Sequence, residues 1–217
     1  MSAPGWPVVL RDAGSEVVLR PPRLRDGVAW QEVRTRCQSW LEPWEATAPE
    51  VARVPWAERQ SLSTWGASLH HARRQAKLGA QLLWAVTEAG RFAGMVSLGS
   101  VSRGAARSAQ LGYWVDARVA GRGVGSVAVA LACDHAFGPV GLHRLEAWVR
   151  PDNARSSALL ASLGFRAEGR AVRGLAVDGA WRDHVVWALL ADEVVSGSVL
   201  GAWRSRPTRR AGAVEQG

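Results

Sequence analysis

Val115-Asp116-Ala117-Arg118-Val119-Ala120-Gly121-Arg122-Gly123-Val124-Gly125-Ser126 joins the apolar run Leu111 to Val115 to a second apolar run, Val127 to Phe137. It reads as strand, anion-binding turn, helix. Glycines at alternating positions let the backbone bend without Cβ clashes, so successive N–H groups can face one concavity at a helix N-terminus. That concavity suits a phosphate or pyrophosphate. The helix dipole adds about 0.3–1 kcal/mol for an anion there, and Arg122 adds a formal charge. The stretch supplies binding groups and no catalytic ones.

Spacing separates the phosphate loops that share this texture. A Walker A loop requires Gly-Lys-Ser/Thr, whereas Gly125 is followed directly by Ser126. The dinucleotide fingerprint requires Gly-x-Gly-x-x-Gly, but Ser126 stands where its last glycine belongs, and no acidic residue closes a strand about 20 residues later. Downstream lies Asn153-Ala154-Arg155-Ser156 and then Leu163-Gly164-Phe165. These two stretches together resemble the GCN5-related N-acetyltransferases (GNAT), whose pyrophosphate loop runs Gln/Arg-x-x-Gly-x-Gly/Ala and whose second signature is Asn-x-x-Ser, a short helix and Leu-Gly-Phe. Ala120 departs from the loop's usual Gln or Arg. Gly169, the Asp178-Gly179 turn and Trp181-Arg182-Asp183-His184 continue as in the Rim-type branch, the N-terminal alanine acetyltransferases of ribosomal proteins. The resemblance covers roughly Val17 to Leu190.

The length of 217 residues supports one well-cored α/β domain. We expect an arm over residues 1–14, the domain over 15–195, and a basic, disordered tail over 196–217 carrying Arg204, Arg206, Arg209 and Arg210. No apolar run is long enough to span a membrane and no basic region precedes an apolar core at the N-terminus, so a cytoplasmic protein with no membrane partner is expected. Cys37 and Cys133 lack metal or redox spacing, and no metal is expected. The net charge of +8 can steer a polyphosphate or an acidic surface toward the protein. No interleaved aromatic and basic stripe marks a nucleic-acid module, so direct nucleic-acid binding is not expected. The oligomeric state, monomer or homodimer, is open.

Along the chain, Glu16 to Arg20 reads as a first strand, and Arg25 to Ser39, with its apolar positions Val28, Trp30 and Val33, as a helix capped by Asp26. A second helix spans Trp56 to Leu78, with Leu62, Trp65 and Leu69 on one face. Strands follow at Gln81–Glu88, Phe92–Val101 and Ser108–Val115, then Arg144–Val149, and a hairpin of 166–177 with 180–190 about Asp178-Gly179. The resemblance implies a mixed, mostly antiparallel sheet with helices on both faces. It also implies that the strands ending near Val115 and Val149 splay apart to hold acetyl-CoA.

Acetyl transfer to an amine requires a neutral amine, a held carbonyl and a proton for the departing thiolate. An α-amine of pKa about 8 is roughly 10% neutral at pH 7, a lysine amine only about 0.04%. The resemblance makes the loop Ala120, Gly121, Arg122, Gly123, Val124, Gly125 and Ser126 the pyrophosphate site, and the backbone of Trp114 and Val115 the pantetheine site. It makes Ser156 the general acid near the thiol and Asn153 a residue orienting the cofactor arm, although an ordinary helix serine and a plain N-cap give the same text. Glu146 can act on the amine directly or through water; a solvated or acceptor-recognising glutamate is the other reading. Relatives of the Rim type sometimes place a glutamate where this chain has Leu175, and His184 reads as structural. Trp40 and Trp44 with Glu42 and Glu45 form either an acceptor-peptide wall or a helix-flanking core cluster. The expected activity is acetyl-CoA-dependent N-acetylation of a protein N-terminus, possible ribosomal acceptors included. Acetylation of an antibiotic or polyamine, a non-catalytic acyl-CoA sensor or ribosome-binding module, and an electrostatic RNA binder are the alternatives.

Overall fold

The alternating segments become an eight-stranded sheet in the computed structural model, which describes residues 6–206. Its strands are β1 (Leu10–Arg11), β2 (Val17–Arg20), β3 (Leu82–Glu88), β4 (Arg91–Ser102), β5 (Ser108–Val115), β6 (Arg144–Val149), β7 (Arg166–Val177) and β8 (Ala180–Leu190). They lie in the order β1-β2-β3-β4-β5-β6-β8-β7. Every neighbouring pair is antiparallel except β5 with β6. That parallel pairing runs only from Ser108 opposite Arg144 to Gln110 opposite Glu146. Beyond it β5 stays with β4 as far as Val115, while β6 stays with β8 as far as Val149. The two strands therefore part and open a cleft in the middle of the sheet.

A bulge at Gly94 helps set this shape. The pairing of β3 with β4 shifts register between Val86 and Thr87, and Gly94 adopts φ +155° opposite Val115. A Cβ at Gly94 would lie 2.2 Å from the Trp114 carbonyl oxygen, so only glycine allows β4 and β5 to approach here. The bulge also breaks the alternation of β4. Phe92 and Met95, three residues apart, both pack with the tryptophans on one face, whereas Ala93, Val96 and Leu98 join the main core on the other.

The main core is filled by α3 (Val124–Phe137), a helix apolar on nearly all sides and therefore enclosed on nearly all sides, together with Leu160 and Leu163 around α4 (Ala154–Ser162). The opposite face carries α1 (Gly27–Arg36) and α2 (Leu62–Lys77), with Trp30 and Trp65 packed at a ring separation of 5.2 Å. The two-residue hairpin turns, Ala89-Gly90 and Asp178-Gly179, have the positive φ values of a type I′ turn.

Three local expectations are corrected. The helix expected from Trp56 breaks after Arg59, and α2 begins only at Leu62 because Ser61 turns extended and its hydroxyl accepts from Thr64 N–H at 3.2 Å. Leu62, the first residue of α2, and Val28 of α1 are both exposed. Asp26 precedes α1 but makes no cap; its carboxylate takes Arg20 at 2.7 Å and the Arg23 N–H instead.

The third correction concerns the tail. Residues 199–204 form helix α5 (Val199–Arg204), and Val199 and Leu200 are buried against α3. Asp134 of α3 accepts from Ser198 Oγ at 2.9 Å and from Val199 N–H at 2.5 Å, so a buried-side carboxylate ties down the start of α5. Arg209 and Arg210 lie outside the described residues. Replacing Asp134 with Ala should cost about 1–2 kcal/mol, the worth of a helix-start carboxylate. A lower urea midpoint with an unchanged slope is the expected result, and an unchanged midpoint contradicts the role.

Candidate active site

The loop folds as its glycines require. Asp116 ends β5, and its carboxylate accepts from Arg118 N–H at 3.1 Å, turning the chain into a short 3-10 segment, Ala117–Val119. Gly121 and Gly123 then take φ +76° and +84°, left-handed values that cost side-chain-bearing residues roughly 1–2 kcal/mol each. Gly123 stands as N-cap of α3, so the first-turn N–H groups of Val124, Gly125 and Ser126 have no intrahelical acceptor. A Cβ at Gly125 would press Leu159 at 3.2 Å. The result is a cradle of N–H donors and small residues that fits a pyrophosphate.

Asp116 anchors this loop to α1. Arg36 Nη2 donates to it at 2.5 Å, and Cys37 Sγ lies 3.4 Å away. Burial by itself would raise the Asp116 pKa, but the Arg118 N–H, Arg36 and Cys37 outweigh that cost and hold it below the usual carboxylate range. The Cys37 thiol is pushed up, first by burial and also by this carboxylate.

The loop opens into a cleft of about 1330 Å³ that runs between the parted strands. Trp114, Val115, Ala120, Gly121, Gly123, Gly125, Ser126, Asn153 and Ser156 all line it, as do Trp40 and Trp44. Val124 is buried beneath it, and Arg122 turns outward to Glu88 at 3.0 Å. The Val115 carbonyl is occupied, accepting from Trp40 Nε1 at 3.2 Å. Because Asp116 N–H pairs back to Ala93, alternation along β5 turns Val115 and Tyr113 toward the opening and Trp114 toward β4. The backbone groups that face the opening are thus those of Val115 N–H and Tyr113, whereas the Trp114 backbone pairs with β4 and only its side chain reaches the cleft wall.

On the far wall, Asn153 caps α4, its Oδ1 accepting from Ser156 N–H at 3.1 Å. Ser156 Oγ is 2.6 Å from the Tyr113 hydroxyl, a bond that crosses the cleft from α4 to β5. Burial pushes the Tyr113 phenol well above its ordinary value, although the Ser156 hydrogen bond pulls the other way, so the phenol stays protonated at neutral pH. Tyr113 was not legible as a site residue. The only signal was its position two residues before Val115, on the same open side of β5.

The acceptor end differs from expectation. Glu146 does not line the cleft; its carboxylate is drawn to Arg144 Nε at 2.7 Å, within a network that Arg144 extends to Glu168 at 2.5 Å. Glu42 is likewise turned away, held by Arg59 at 2.6 Å and Gln38 at 2.7 Å. Glu45 is the carboxylate in the cleft, ion-paired to buried Arg34. Arg34 in turn sits over the rings of Trp30, Trp56 and Trp114 at 5.7, 4.6 and 5.4 Å. Trp44 lies under Arg150, and Trp40 under Arg155 at 4.3 Å. Leu175 and buried His184 complete this end, with His184 Nδ1 at 3.0 Å from the Arg182 carbonyl. A carbonyl only accepts, so Nδ1 carries the hydrogen and Nε2 is the ring's acceptor when neutral.

The depressed Asp116 pKa makes its clamp pH-dependent. A lowered folded-state value means that the stabilisation is present above about pH 4 and is lost as pH falls through the folded-state pKa. Urea melts should show Asp116→Asn less stable than the parent at pH 7, with the gap narrowing as pH is lowered below about 4. A gap that stays constant contradicts the clamp.

The sequence matches the acetyltransferase (GNAT) domain over residues 16–166. It is 30% identical to the [Ribosomal protein uS5]-alanine N-acetyltransferase of Escherichia coli (strain K12), covering 83% of this chain and 91% of that protein. The probable N-acetyltransferase YjcK of Bacillus subtilis (strain 168) is 42% identical over 100 residues, which span 46% of this chain and 55% of YjcK. Among solved structures, Mycobacterium smegmatis RimJ in complex with CoA-disulfide superposes with a TM-score of 0.85 at 41% identity, covering 92% of this chain and 94% of RimJ. The ribosomal-protein-S5-alanine acetyltransferase from Vibrio fischeri gives 0.74 at 26% identity, with coverages of 86% and 98%. The mixed sheet, the loop between its parted strands and the match over most of the chain agree, and this protein belongs to the GNAT family of acetyltransferases, with acetyl-CoA as its acyl donor.

Proposed function

We propose that the protein acetylates the α-amine of a protein N-terminus, with an N-terminal alanine of a ribosomal protein as the leading acceptor. The observation that carries this reading is the form of the acceptor end. Past Glu45 the cleft meets a second cavity of about 470 Å³, and the two share Arg34, Glu45, Leu83 and Met95 in their walls. Two adjoining cavities that share these wall residues suit an extended peptide better than a compact amine. The uS5-alanine specificity in the name of the Escherichia coli relative supports the same choice. A cytoplasmic location follows from a ribosomal acceptor.

The chemistry follows from the groups in place. The helix-start amides of Val124, Gly125 and Ser126 hold the pyrophosphate, and Val115 N–H faces the thioester arm. Glu45 lies where an incoming ammonium needs a counter-charge, and the Nε2 of His184 is the acceptor for its proton. The neutral amine attacks the thioester carbonyl directly. As the carbon–sulfur bond breaks, Ser156 gives its proton to the thiolate and is restored by the surplus proton of the attacking nitrogen, released through the cleft, while Tyr113 stays protonated and holds Ser156 by their 2.6 Å hydrogen bond. An α-amine, already about 10% neutral at pH 7, asks little of His184.

Incubation with acetyl-CoA and peptides beginning as ribosomal proteins do, beside polyamines and aminoglycosides, tests the acceptor. The expected outcome is peptide-dependent thiol release, with the added acetyl mass on the α-amine of Ala-starting peptides. Ser156→Ala should lower kcat by about 10²-fold with a small change in the KM for acetyl-CoA. Turnover of small amines alone would replace the peptide reading, and an unchanged kcat would remove Ser156 from proton transfer.

A further inference from the structure

Helix α5 is fixed to the fold at several points, and its tryptophan also packs against the edge of the main core. Asp134 receives its first N–H groups, Val199 and Leu200 are buried, and Arg204 ion-pairs with Asp12, a carboxylate enclosed near the N-terminus. Just past the helix, Arg206 donates to the carbonyls of Ala161 and Ser162 at the end of α4. What these contacts position is Trp203. Its indole is half-buried, forms part of the cleft wall and lies 3.5 Å from the Cβ position of Gly123.

The direction of the cleft identifies what meets this ring. Ser156 in the first turn of α4 marks the thioester end, where it bonds Tyr113. Ser162, six residues on and about 9 Å further along the helix, marks the opposite end, where Arg206 is bound. The Gly121–Ser126 cradle lies between. A donor seated with its thioester by Ser156 and its pyrophosphate in the cradle brings its adenosine to α5. Adenine is the one flat aromatic group of that donor, and an indole face at the cleft wall matches it.

We propose that α5 carries the adenosine subsite of acetyl-CoA, with the Trp203 indole packed on the adenine. The segment that composition marks as a tail is then part of the donor site. It lies outside both glycine-loop and Asn-x-x-Ser signatures, beyond the residues 16–166 that match the acetyltransferase domain.

Calorimetric titration with coenzyme A and with 4′-phosphopantetheine, which lacks the adenosine together with its 3′-phosphate and one phosphate of the pyrophosphate, tests the assignment without any acceptor. Its failure therefore leaves the peptide reading standing. Trp203→Ala should weaken coenzyme A binding about tenfold while changing phosphopantetheine binding less than twofold, so the preference for the nucleotide form collapses. Trp203→Phe, which keeps a flat ring, should retain most of that preference. Should the alanine variant unfold, Trp203→Leu fills the volume without an aromatic face and is judged by the same ratio. Equal weakening of both ligands, or no loss for coenzyme A, overturns the proposal.

Discussion

The parting of β5 from β6 is the constraint on which the rest of the molecule depends. Three residues of parallel pairing hold the strands together at one end, and beyond Gln110 and Glu146 each strand keeps only its outer neighbour. In a closed ladder the backbone groups of Tyr113 and Val115 would be spent on β6. Here they face an opening, across which Tyr113 meets Ser156 on α4 at 2.6 Å and Trp40 meets the Val115 carbonyl at 3.2 Å. The opening is thus buttressed by side chains instead of by strand pairing, and it is wide enough for a thioester arm.

Positive charge is organised around this cleft in two distinct ways. Arg34, Arg36 and Arg150 are partly or fully enclosed and paired, so they position aromatic rings and carboxylates and do not attract ligand. Arg122 is mostly exposed and its pair with Glu88 is open to solvent, so its contribution to an incoming polyphosphate is screened by salt. The fixed part of the proposed anion site is therefore the backbone cradle at the start of α3, whose donors are held in place by Gly121 and Gly123.

Features governed by neighbours in sequence were legible before any coordinates. The Gly121-Arg122-Gly123-Val124-Gly125 loop, the Asp178-Gly179 hairpin and the strand carrying Trp148 each follow from a local pattern of glycine, turn residues or alternation. Features governed by distant partners were not. Glu146 has the right strand and face, yet Arg144 draws its carboxylate out of the cleft. Glu45 enters the cleft because Arg34, eleven positions earlier on α1, holds it there. The Tyr113–Ser156 bond spans 43 residues and no spacing rule announces it. α5 is not legible because six residues show too little periodicity, and its docking depends on Asp134 far upstream.

The central claim is that the backbone of the loop between the parted strands is the seat of the donor's pyrophosphate. Amide hydrogen exchange with and without coenzyme A tests it most directly. The account predicts slowed exchange concentrated at Gly121 to Ser126 and at Val115, with α2 unchanged. Protection confined to α2 and the sheet edge at β1, with the loop exchanging as before, would contradict it.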